Sequence, residues 1–235
     1  MSAELDKAFE SLNSFDWGAD RNLMNPIEDA IVAAHGNAEA TKQLETRLAA
    51  VLKSGAPRDA KDYACRKLAV VGTAACVPTL AELLTDYANS HMARFALERI
   101  SAPEAVEALR NALPKVTGVL KIGVVGSLGV RRDAASVPAI AALLGDADPT
   151  MVAAAAHALG NIGNSEAAQA VGRVLKTAPD AAKPTVVDAN LLCAEHLLAE
   201  GKKPAAIAIY KSLGGEDQPK HVRLAAKQGL LAAIK

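Results

Sequence analysis

The chain has 235 residues, with 26 basic and 26 acidic side chains and a formal net charge of zero. It is 51% hydrophobic but only 3% aromatic, so core volume must come from leucine, valine, isoleucine and alanine, a mixture that favours close-packed helices over strands. The balanced charge argues against a nucleic-acid binder, which needs a basic face, and no apolar run reaches the ~18 residues of a membrane span.

Residues 1–55 read as an N-terminal helical cap of three helices, near Ala3–Leu12, Asp20–Ala34 and Asn37–Leu52. Phe9, Phe15 and Trp17 concentrate aromatic volume there, as closing one end of a helical stack requires. The first twelve residues are amphipathic with three acids, unlike a basic-then-apolar secretion signal. The cytoplasm is therefore the default location, or the periplasm or exterior if a leader has been removed.

Residues 56–177 carry an internal repeat of about thirty residues. Val77-Pro78 recurs as Val137-Pro138, and Leu83-Leu84-Thr85-Asp86 as Leu143-Leu144-Gly145-Asp146. Between them a leucine signature returns at Leu68, Leu97, Leu128 and Leu159. Each unit reads as two short helices, the first running into the signature (His91–Ile100) and the second following a turn (Ala105–Leu113, Val137–Leu144). Start signals agree: a capping box at Ser101-Ala102-Pro103-Glu104, an N-cap and N1 proline at Asp148-Pro149, and Asn164 before a helix from Ser165 to Thr177. Gly72 and Gly163 stand where a left-handed residue ends a helix. Residues 178–235 are divergent helical repeats continuous with the same array. Leu191 to Gly201 and Ala205 to Tyr210 are closer to a tetratricopeptide pair, and Val222-Arg223-Leu224-Ala225-Ala226 opens a last unit. That unit ends after one helix, which predicts either the front part of a longer protein or a last helix that caps the stack sideways.

A two-helix unit cannot bury its own apolar face, so neighbours must stack and share a core. The expected fold is all-α: a right-handed α-solenoid of stacked antiparallel helix pairs. Cys65, Cys76 and Cys193 lack metal-ligand spacing. They read as reduced core thiols, with a Cys65–Cys76 disulfide as the alternative.

The Val-Arg-x-x-Ala-Ala opening at Val222, the Ala-Leu-Gly-x-Ile-Gly segment at Ala158–Gly163 and the Val-Pro-x-x-x-x-Leu-Leu-x-Asp second helices resemble HEAT-like repeats. The likeness is to the short form of phycobilin-lyase-type proteins and to the HEAT-repeat regions of large bacterial multidomain proteins. It covers residues 56–177 well and the C-terminal unit in part. Lys121 and Val152 stand where the motif arginine belongs, which breaks an arginine ladder. The resemblance implies a scaffold or recognition arm and transfers no catalytic residue.

In this repeat class the helix with the leucine signature lines the concave side. Positions there not needed for stacking are Tyr63, Arg66, His91, Met92, Phe95 and Arg99 in the early units and His157 and Asn161 later. Aromatic rings, a thioether and arginines together suit a recognition hot spot; in the alternative reading Met92 and Phe95 are core. The five histidines are scattered, the glycines at 123, 126 and 129 suit helix packing better than a dinucleotide loop, and Arg131-Arg132-Asp133 reads as a solvated turn. No cofactor or metal is expected. The leading function is a non-enzymatic scaffold that binds a protein segment, a partner domain or a covalently linked domain on its concave face, without nucleic acid or membrane insertion. The alternatives are a HEAT-type enzyme, bilin-lyase-like or DNA-glycosylase-like, and a passive spacer within a larger secreted carbohydrate-active protein.

Overall fold

The computed structural model describes residues 2–234. All regular structure among them is helical, with fourteen α-helices and six short 3-10 turns, so the chain is an all-α helical repeat protein. None of these helices is long and apolar enough to cross a membrane. The chain divides into two compact units between Val116 and Thr117.

The first unit begins with α1 (Ala3–Leu12), whose first turn is capped by Ser2: the Leu5 amide donates to its hydroxyl at 3.3 Å. The helix expected over Asp20–Ala34 is interrupted. Asp20 caps a 3-10 turn over Arg21–Met24, and α2 (Asn25–Ala33) starts afresh. The reason is Pro26, which lacks an amide proton and sits comfortably only in a first helical turn. Asn37 caps α3 (Ala38–Lys53). There follow α4 (Arg58–Val71), α5 (Val77–Glu82), α6 (Ser90–Arg99) and α7 (Pro103–Ala112). The signature helices α4 and α6 pack on each other, with α3 on the other side of α4, while α5 packs on α7. Leu68 and Leu97 are fully buried in this stack.

Two expected stop signals differ in this unit. Gly72 has φ −68° and ψ 142°, so α4 ends in extended rather than left-handed backbone. Its glycine is required by space: a Cβ there would lie 2.4 Å from the Leu68 carbonyl oxygen. At the start of α7 the N-cap is Ala102 without a side-chain bond, so Ser101 forms no capping box. Pro103 at N1 starts the helix instead.

An unexpected polar group ties α3 to the next turn. The Glu45 carboxylate, buried in the middle of α3, accepts from the Thr73 amide at 2.7 Å, the Thr73 hydroxyl at 2.9 Å and the Cys76 amide at 3.1 Å. It satisfies backbone donors at the start of the turn that leads into α5, where the helix itself has no acceptor to offer.

The second unit contains α8 (Gly118–Val130), α9 (Val137–Ala142), α10 (Pro149–Ile162), α11 (Ser165–Val174), α12 (Lys183–Ala199), α13 (Lys203–Leu213) and α14 (Lys220–Ile234). Here α8, α10 and α12 stack in sequence, and α9 packs on α11. Asp148 and Asn164 cap α10 and α11 as the sequence indicates, and Gly163 ends α10 with φ 66°. The stacking is close because small residues meet. A Cβ added to Gly129 would stand 2.7 Å from Ala158 Cα, and one added to Gly160 3.0 Å from Ala189 Cα. Gly126 meets nothing within 4 Å, so of these two glycines of α8 it is Gly129 that makes the helix contact. The second helices are shorter than expected: α9 runs six residues and then tightens into a 3-10 turn over Leu143–Gly145. At the end of this unit α14 packs on α12 and α13, with Gly229 against the buried Tyr210 ring, and leaves Leu224, Leu231 and Ile234 exposed.

Candidate functional site

Of the residues singled out in the early repeats, Arg66, His91, Phe95 and Arg99 lie on the outer, solvent-facing side of α4 and α6 in the first unit. Arg66 on α4 and Arg99 on α6 both lie over the Phe95 ring, at 5.8 and 3.6 Å from its centre. Arg99 also donates to the Phe95 carbonyl at 3.0 Å, and Arg66 Nε donates to Asp62 at 3.2 Å. The guanidinium planes are thus held by π-stacking and carboxylate contacts while both side chains remain about half exposed. His91, on the same helix as Phe95, is exposed beside Arg94.

Met92 does not join this face. Its side chain is buried with Ala93, Ala96 and Leu97 on the inner side of α6, because residue 92 shares the stripe of Ala96 one turn later. Met92 is core and is removed from the site. His157 and Asn161 lie one turn apart on α10 in the second unit, in contact with each other at 3.4 Å.

Tyr63 points to the other side of α4, toward α2. Glu28 of α2 accepts the Tyr63 hydroxyl at 2.9 Å and the Lys67 ammonium at 2.6 Å, and Lys67 also lies 5.1 Å from the Tyr63 ring centre. Burial, then the hydrogen bond to Glu28 and its negative charge, raise the Tyr63 phenol well above its ordinary range. The hydroxyl is thereby held as a neutral donor to Glu28.

Beside this ion pair the structure opens a cleft of about 660 Å³ between the strap preceding α2 and the first turns of α4. Phe15, Trp17 and Tyr63 bring three rings to its wall, and Arg21, Arg58, Arg66 and Lys67 face Glu28, Asp59 and Asp62. Trp17, counted with Phe9 and Phe15 as aromatic volume closing the cap, is 89% exposed. The Asp16 carboxylate accepts the Trp17 amide at 2.9 Å, and Gly18 follows with φ 85°. This local turn lifts the indole off α1, where Phe9 enters the core with Leu5, Ala8 and Leu12. Helical periodicity carries no information about a residue in a turn; the flanking Asp16, Gly18 and Asp20 were the available signal.

Among the described residues no group of three or more His, Cys, Asp or Glu is placed to hold a metal ion. Cys65, Cys76 and Cys193 are free and buried, so no disulfide joins Cys65 and Cys76. Burial pushes each thiol up to about 12, helped at Cys65 by the Asp62 charge and at Cys76 by Glu45.

A polar cluster in the second unit was not anticipated. Arg132, whose backbone has φ 51°, reaches the Ile162 carbonyl at 3.3 Å and His196 Nδ1 at 3.2 Å. The His196 ring covers Gly163, where a Cβ would collide with it. Burial first, and then the Arg132 charge, lower the His196 pKa.

A family model for HEAT repeats matches residues 106–185. No curated protein matches the sequence. Among solved structures, a lipovitellin structure aligns with 99% of this chain and 27% of its own at 14% identity and a TM-score of 0.63. An engineered protein aligns with 99% of this chain and 68% of its own at 20% identity and a TM-score of 0.49. A designed armadillo repeat protein aligns with 97% of this chain and 99% of its own at 18% identity and a TM-score of 0.46. The chain spans about a quarter of the lipovitellin chain, and at that identity the likeness describes the fold alone.

Proposed function

We propose that this chain, whose residues 106–185 match a family model for HEAT repeats, is a non-enzymatic scaffold whose first unit binds a protein segment or partner domain along the outer face of α4 and α6. The observation that carries this reading is the stack of Arg66 and Arg99 on Phe95. It joins two successive repeats in one exposed patch of the residue types that dominate protein-binding hot spots. The arginines are already ordered by Asp62 and by the Phe95 carbonyl, which lowers the entropy lost on binding. His91 extends the same face. The polar contacts of these residues are ion pairs and ring stacks, and no nucleophile is joined to a base among them, which supports a recognition role over a catalytic one.

The test is affinity capture by the immobilised chain from its native cell extract, with bound proteins identified by mass spectrometry. Arg66→Glu and Phe95→Ala are each expected to weaken capture of the same specific partner at least tenfold, as loss of ~1.4 kcal/mol or more at a hot spot implies, while the circular-dichroism spectrum stays helical. Undiminished capture by both variants refutes the assignment of this face.

A further inference from the structure

The cleft between the Trp17 strap and α4 deepens that reading and rests on it, because it adjoins the Arg66 face and supplies the chemistry that would select a partner. Four cations line it against three carboxylates. Two of the carboxylates are engaged: Glu28 holds Tyr63 and Lys67, and Asp62 holds Arg66 through Oδ2. Arg21 makes no ion pair or hydrogen bond among the described residues, and Arg58 uses only its Nε, on the Ala88 carbonyl at 3.0 Å. Two guanidinium groups therefore lack a carboxylate partner in a cleft that has only Asp59 left to offer.

Two further features point to what fills it. Trp17 presents its whole indole to solvent at the cleft wall, an arrangement that exposes a large apolar surface at a cost a partner would relieve. Asp62 Oδ1 is buried and accepts no hydrogen bond, an orphaned acceptor that an incoming donor would complete. We propose that this cleft anchors an extended acidic peptide of a partner protein. Side-chain carboxylates of that peptide pair with Arg21 and Arg58, an apolar side chain packs on Trp17 and Phe15, and a backbone amide donates to Asp62. A single-stranded nucleic acid also stacks on aromatic rings and pairs with arginine. It is disfavoured because Glu28, Asp59 and Asp62 would face a continuous phosphate backbone and a neutral chain provides little counterion release.

Trp17 is the sole tryptophan, so its emission reports on the cleft directly. The probes are a short peptide alternating glutamate with leucine around one phenylalanine, its lysine counterpart, and a single-stranded oligonucleotide. Each is labelled so that anisotropy measures binding anywhere on the chain. The glutamate peptide is expected to raise anisotropy, shift Trp17 emission to the blue and protect it from acrylamide, saturably and more weakly at high salt. Arg21→Ala and Arg58→Ala should each weaken this by about tenfold or more, the loss of a charge-assisted hydrogen bond. The lysine peptide and the oligonucleotide should leave Trp17 unchanged.

If the glutamate peptide binds and is weakened by Phe95→Ala, but Trp17 emission does not move, the α4–α6 face stands and the cleft assignment falls. Equal binding of the lysine peptide, preference for the oligonucleotide, or indifference to both arginine variants also overturns the cleft assignment. Absence of binding by both peptides counts against the cleft, and with undiminished capture by the α4–α6 variants it removes both.

Discussion

Gly129 and Gly126 are three residues apart on α8, yet alanine should have opposite effects at the two positions. At Gly126 the added methyl meets nothing within 4 Å. The variant gains helix propensity and loses unfolded-state freedom, which together stabilise by about 0.5–1 kcal/mol. At Gly129 the same methyl would sit 2.7 Å from Ala158 Cα and 2.9 Å from Ala158 Cβ, about 1 Å inside ordinary carbon–carbon contact. The obstacle is backbone, so no side-chain rotation relieves it and α8 must move away from α10. Overpacking of this kind costs about 1–3 kcal/mol, which outweighs the propensity gain and leaves Gly129→Ala net destabilised by about 1–2 kcal/mol. Gly160→Ala, with 3.0 Å to Ala189 Cα, should fall between the two. Urea denaturation followed by far-ultraviolet circular dichroism gives the order directly. A Gly129→Ala variant as stable as Gly126→Ala would refute the packing argument.

Glu45→Ala should destabilise the first unit by about 2–3 kcal/mol, since it removes charge-assisted bonds and leaves the buried Cys76 amide unsatisfied; a change in urea midpoint no larger than that of Glu39→Ala would contradict the role assigned to it. His196 has a folded pKa below its ordinary 6.5 because of burial and then the Arg132 charge. Its neutral-state contacts are therefore fully present above pH 6.5 and are lost as pH falls below it, when the unfolded chain binds the proton more readily. The stability of the wild-type chain should accordingly decline more between pH 7 and 5 than that of His196→Gln, and an NMR titration of Arg132→Ala should move the His196 pKa upward; a fixed pKa would refute the coupling. The three thiols, pushed up to about 12 by burial, should resist maleimide in the folded chain and react fully in denaturant, and rapid labelling of the native protein would contradict their placement.

The repeat was legible because leucine is needed once per unit at a fixed place: Leu68, Leu97, Leu128 and Leu159 are all fully buried. The caps at Asp148 and Asn164 were legible for a similar reason, since a short acceptor before a helix satisfies amides that nothing else reaches. The candidate face was only partly legible. Spacing placed Tyr63, Arg66, Phe95 and Arg99 near one another, but which side of α6 faces inward depends on how it lies against α4, and that rotation put Met92 inside. Trp17 and Glu28 came from segments with no repeat register to count from, and Lys67, beside Leu68 on α4, gains its role only through Glu28. Glu45 was hidden because a glutamate in mid-helix reads as solvated, and only the position of the Thr73 turn makes it a buried acceptor.

The small-residue contacts of the second unit also bear on how such a chain grows in evolution. Gly129 meets Ala158 and Gly160 meets Ala189, so the two contacts recur with the same offset, and the α10 segment carries both halves of a common joint where α8 has Ser127 and α12 has Leu191 in place of one half. An in-frame duplication of that α10 segment would deliver a new copy already fitted at this joint to both of its neighbours, with no compensating substitution. The first unit has Ala69 and Glu98 at the equivalent position after the signature leucine. Glutamate there cannot make the same joint, so copying is structurally neutral for the α10 segment and disruptive for one built on α6. Inserting a second copy of residues 149–179 should therefore be tolerated, whereas a segment centred on Leu97 should not transplant into the same place.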